Sequence, residues 1–112
     1  MKKIAKEFHQ QRRGNCAQSV AYAWGQKFPG GRGVEDVFAG CGAGRAPGGL
    51  CGALHASCTL AGTAAEQSIK QAFAEKTGGH LTCKEIRAAK RVPCAECVEI
   101  AAELLESHAR GL

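Results

Sequence analysis

A chain of 112 residues, 45% hydrophobic and 22% charged, is long enough for one domain with a small core and too apolar to remain disordered. Its net charge of +5 comes with one Trp, one Tyr and four Phe, no interleaved basic and aromatic stretch, and no zinc-finger, helix-turn-helix or RNA-binding signature, which argues against nucleic acid as a partner. The segment MKKIAKEFHQQRRGN has no apolar run behind its charged start, and no stretch approaches the roughly 20 apolar residues of a membrane span; neither a secretory signal nor a membrane span is expected, and the expected location is the cytoplasm.

In chain order, residues 2 to 12 read as a short amphipathic helix with Ile4, Ala5 and Phe8 inward, closed by Gly14. Asn15 and Gln18 have the spacing of a capping box and open a second helix with Cys16, Val20, Ala23 and Trp24 on one stripe. A short helix is expected at 34 to 39. AGCGAGRAPGG reads as a connecting loop, since ten of the 15 glycines lie between Gly25 and Gly52. A third long helix is expected from near Gly49 to about Gly62, with AAEQSIKQAFAEK either continuing it or standing apart, and TGG at 77 to 79 as a break. Thr82 with Glu85 is a second capping box, for a helix through Arg91, and Pro93 opens a last helix with Val98, Ala101, Leu104 and Leu105 inward. No alternating strand pattern of useful length occurs. The expected fold is therefore a single all-α domain over residues 1–112, a bundle of about five helices with one glycine-rich connection.

Seven cysteines in a reducing compartment point to metal binding or redox chemistry rather than a disulfide framework, and an odd count leaves one over. Cys16 follows the cap Asn15, Cys51 follows two glycines, Cys83 follows the cap Thr82 and Cys94 follows Pro93, so each is expected in the first turn of a helix. Amides without intrahelical partners and the positive end of the helix dipole stabilise a thiolate there. The alternative is that small apolar cysteines simply pack well near caps.

GNCAQSV, FAGCGAGRAPGGLCGAL, the TCKE around Cys83 and PCAECVEIAAELL together resemble the C_GCAxxG_C_C family of small redox-active proteins, over about residues 14 to 106. The family's four defining cysteines match Cys16, Cys51, Cys83 and Cys94. A similar cysteine-rich domain occurs in split-Soret-type cytochromes, associated with an iron–sulfur centre, so the resemblance implies electron transfer more than substrate chemistry. The chain departs from the pattern at Ala56, where CGAxxG has its last glycine, and adds Cys41, Cys58 and Cys97.

Cys94 and Cys97 form a CxxC, either a dithiol pair or half of a metal site. On the third helix, Cys51, His55 and Cys58 fall at i, i+4 and i+7 and are expected on one face. Cys58, two turns from Cys51, is expected to be dispensable, and His55 is undecided between ligand and packing residue. The glycine-rich segment reads as a cover over Cys51, lacking the Lys and Ser or Thr of a P-loop. Carboxylates are too sparse around the cysteines to support paired acid–base catalysis. Three readings remain. In the first, Cys16, Cys51, Cys83 and Cys94 ligate an iron–sulfur cluster that exchanges electrons with a redox partner protein. In the second, a metal-free thiol-disulfide protein works through these cysteines and Cys97. In the third, zinc holds a structural binding module. Whether a second copy closes the site in a homodimer stays open.

Overall fold

The computed structural model describes residues 2–27, 33–40, 49–89, 92 and 94–109, with the backbone alone at Val34, Thr63, Ala64, Cys94 and Ala109. Its elements are α1 (Lys2–Gln10), α2 (Cys16–Lys27), a 3-10 turn (Val34–Phe38), α3 (Gly52–Ala61), α4 (Thr63–Thr77), α5 (Cys83–Ala89) and α6 (Cys94–Ala109). Among the described residues no strand forms; Leu50 and Thr82 make an isolated antiparallel bridge. No helix among them is long and apolar enough to cross a membrane. The glycine-rich connection, its reading as a cover over Cys51, and Cys41 itself lie outside the described residues.

In α1, Ala5 and Phe8 are buried as the spacing predicts, but Ile4 is 37% exposed. The inward line is only two residues wide because the neighbouring positions face α6, where Lys6 pairs with Glu99 at 2.8 Å and Lys2 with Glu103 at 3.8 Å. The helix stops at Gln10 rather than residue 12, since Arg12 takes a left-handed φ of 56° to turn the chain back. Gly14 completes the turn: a Cβ there would stand 2.8 Å from Phe8 Cε1 and from Gln18 Oε1.

The Asn15 box is reciprocal. Gln18 N donates to Asn15 Oδ1 at 2.8 Å, and Asn15 N donates to Gln18 Oε1 at 3.0 Å. Asn15 Nδ2 also donates to the carbonyls of Phe38 and Ala39, both at 3.0 Å, tying the cap of α2 to the 3-10 turn. Val20 and Ala23 are buried, whereas Cys16 and Trp24 are half-buried at the edge of the core.

Helix α3 packs on α2, α4 and α6. Ala53, Leu54, Ala56 and Ser57 are all fully buried, so the small residues allow close approach on several sides, Ala56 included. Ser57 Oγ donates to the Ala101 carbonyl of α6 at 2.5 Å. Gly62, at φ 93°, ends α3 and makes α4 a separate helix; Gly78, left-handed, ends α4. Ile69, Phe73 and Thr77 form the buried line of α4. Helix α5 is opened by the Thr82 box, with Glu85 N on Thr82 Oγ1 at 3.2 Å and the Thr82 hydroxyl on Glu85 Oε1 at 2.8 Å. It is described to Ala89. On α6, Val98, Ala101, Leu104 and Leu105 are buried as predicted. The count of about five becomes six α-helices among the described residues, because α3 and α4 are distinct.

Candidate functional site

Cys51 is set in place by its backbone. Its N–H donates to the Leu81 carbonyl at 2.9 Å beside the Leu50–Thr82 bridge, and its carbonyl takes the first helical bond of α3 from His55 N at 2.9 Å. It is thus the N-cap of α3, at φ −52° and ψ 128°, one residue before the first turn where the sequence placed it. Thr82, the cap of α5, lies on the same bridge, so the starts of α3 and α5 run side by side.

The Cys51 thiol is paired electrostatically with Cys97, from the first turn of α6. Both are buried, 6% and 2% exposed, and neither is in a disulfide. The Cys97 thiol is the largest influence drawing the Cys51 pKa from 9.0 down to about 7; burial opposes it, and the amides of Leu54 and Ala53 in the first turn of α3 assist. A large part of Cys51 is therefore thiolate near neutral pH. A partly ionised thiol beside a second thiol is what disulfide exchange requires.

Cys16 and Cys83 are each the first residue of their helix, as expected, and half-buried; Cys16 Sγ lies 3.5 Å from Nε2 of His9. Cys94 is the first residue of α6, one turn before Cys97, with its side chain outside the described residues. Among the described residues, no three His, Cys, Asp or Glu side chains gather as ligands for a metal.

Cys51, His55 and Cys58 do not share a face. Cys51, with a cap backbone rather than a helical one, reaches Cys97 on α6, while His55 and Cys58 line a cleft of about 480 Å³ with Thr59, Glu66 and Lys70. Burial raises the Cys58 thiol to about 11, and its Sγ lies 3.9 Å from the Glu66 carbonyl. His55 packs edge-on to Phe38, with ring centroids 5.8 Å apart, and burial lowers its pKa. These are marks of packing. Several basic side chains are engaged within the fold: Lys2 and Lys6 pair with α6, Lys27 at the end of α2 pairs with Glu106 at 2.9 Å, and Arg13 stacks over Phe8 and Tyr22 at 5.1 and 4.8 Å.

The spacing pairs Cys97 with Cys94 and gives no sign that Cys51 is its neighbour. The two are 46 positions apart, and only the packing of α3 on α6 joins them. It gives no sign of His9 either, since the nearness of that ring to Cys16 follows from the turn at Arg12 to Gly14 and not from any periodicity. Compared with family models, curated proteins and solved structures, the chain matches none.

Proposed function

We propose that the chain is a redox-active thiol protein that carries electrons as a Cys51–Cys97 dithiol–disulfide couple. The single observation behind this reading is a pair of buried cysteines from separate helices in which Cys97 draws the Cys51 pKa down to about 7. The Cys51 thiolate attacks one sulfur of a disulfide in a partner protein, and the partner's other sulfur leaves and takes up a proton. Cys97 then gives up its proton and attacks the Cys51 sulfur, closing the internal disulfide and releasing the partner's second thiol. The partner disulfide gains two electrons and the chain loses two; a reducing dithiol partner reverses the sequence. The resemblance to the C_GCAxxG_C_C family supports the same class, and Cys51 is one of its four matched cysteines. Such a carrier works in a reducing compartment, the cytoplasm, and its partner is another redox protein rather than a small substrate.

A second reading is favoured by the bridge that runs the starts of α3 and α5 together. There Cys16, Cys51, Cys83 and Cys94 hold an iron–sulfur cluster, which supplies one-electron transfer when bound. Zinc on the same sulfurs would be structural. Anaerobic purification followed by iron, sulfide, zinc and thiol assays separates the three. The dithiol reading expects a colourless, metal-free protein that loses two thiols on mild oxidation and regains them with a reductant. Iron with sulfide and a broad visible absorption overturns it for the cluster, and stoichiometric zinc overturns it for the module.

A further inference from the structure

Outside the Cys51–Cys97 pair, a second thiol has a partner suited to chemistry. The turn at residues 11 to 14 folds the end of α1 onto the start of α2, and this puts Cys16 Sγ 3.5 Å from His9 Nε2. The placement is well held. Gly14 is closed in by Phe8 and Gln18, the Asn15 box locks the first turn of α2, and Asn15 is tied onward to Phe38 and Ala39. Both members of the pair are half-buried, which leaves the Cys16 sulfur more open to a small molecule than Cys51 and Cys97, at 6% and 2% exposed.

We propose that Cys16 and His9 form a nucleophile–base dyad that exchanges with small disulfides, making Cys16 a site of reversible S-thiolation separate from the Cys51–Cys97 couple. Asn15 takes the Gln18 amide through its side chain and the Ser19 amide through its carbonyl, and the imidazole reaches the thiol from the end of α1. With the ring proton on Nδ1, Nε2 accepts from the thiol 3.5 Å away. As the Cys16 sulfur bonds to one sulfur of the small disulfide, its proton passes to Nε2. The S–S bond breaks, and the departing thiolate takes the proton from the imidazolium. One thiol and one disulfide are consumed, and one mixed disulfide and one small thiol are formed. This goes beyond the dithiol reading and stands or falls independently of it.

The test uses the full, reduced chain with glutathione disulfide as probe, near neutral pH, with each cysteine followed by peptide mass. Cys16 is expected to form the mixed disulfide at least about tenfold faster than Cys58, and His9→Gln is expected to slow Cys16 by about tenfold or more while the rate at Cys51 holds. In His9→Ala, added imidazole is expected to restore part of the Cys16 rate, which a merely structural role for His9 would not allow. Equal Cys16 rates in the parent and His9→Gln would overturn the proposal. So would equal slowing at Cys16 and Cys51, or no response of His9→Ala to imidazole. Formation of the Cys51–Cys97 cross-link is read in the same samples as a separate species, so failure here is distinct from failure of the dithiol reading.

Discussion

Replacing Cys97 with alanine removes the thiol that does most to depress the Cys51 pKa, and the effect on reactivity can be worked through. If the pKa returned fully from about 7 to 9.0, the thiolate fraction near pH 7 would fall from about one half to about one hundredth, roughly fiftyfold. A thiolate whose pKa is two units higher is intrinsically about eightfold more nucleophilic at a Brønsted slope of about 0.45, so the net slowing with a small disulfide probe is about sixfold. That is a ceiling, because the amides of Leu54 and Ala53 persist in the variant. Above about pH 10, where both proteins are fully ionised at Cys51, the order inverts and Cys97→Ala reacts faster, by up to about eightfold. Cys97→Ser keeps a donor at the same place and is expected to stay close to the parent in both ranges. Rate against pH, followed at Cys51 by peptide mass, gives the crossing directly. A Cys97→Ala protein as fast as the parent near pH 7, or slower at every pH, would refute the argument that Cys97 sets the Cys51 thiolate.

The same shifts govern stability against pH. Cys51, depressed from 9.0 to about 7, adds stability as pH rises from about 7 to 9, where the folded thiol is ionised and the unfolded one is not. Cys58, raised from 9.0 to about 11, removes stability as pH rises from about 9 to 11. Each is worth at most about 3 kcal/mol, so urea midpoints of the parent relative to Cys51→Ala are expected to climb between those first two values, and a flat difference would contradict the shift. Asn15→Ala loses the cap of α2 and two bonds to the 3-10 turn and is expected to cost about 1 to 2 kcal/mol in denaturant unfolding. Gly14→Ala forces a methyl against Phe8 and Gln18 and is expected to cost about 1 to 3 kcal/mol. Cys58→Ala, whose thiol stands in the α4 cleft away from the pair, is expected to leave reversible thiol oxidation intact, whereas Cys51→Ala abolishes it.

Local signals carried the helix map well. The two capping boxes were legible because their hydrogen bonds span three residues, and Gly62 and Gly78 ended helices where the breaks in pattern lay. Ile4 was misplaced because a helix with only Ala5 and Phe8 inward has a narrower apolar stripe than three hydrophobic residues in five positions suggest. Helix α3 begins at Gly52 rather than near Gly49, which makes Cys51 its N-cap and changes its orientation. An N-cap has a non-helical backbone, so i, i+4 counting from Cys51 puts the sulfur on the wrong face. The Cys51–Cys97 pairing had no local signature at all. It comes from α3 packing on α6 through small buried residues, a tertiary event that spacing within either helix does not encode.

The most direct test is to equilibrate the full chain in a graded series of oxidised and reduced dithiothreitol, quench the thiols, and map the cross-links by peptide mass. A Cys51–Cys97 link that appears and disappears reversibly with the poise, ahead of any link through Cys58 or Cys83, is the expected result. Cys51 and Cys97 both remaining as thiols while other cysteines pair would contradict it.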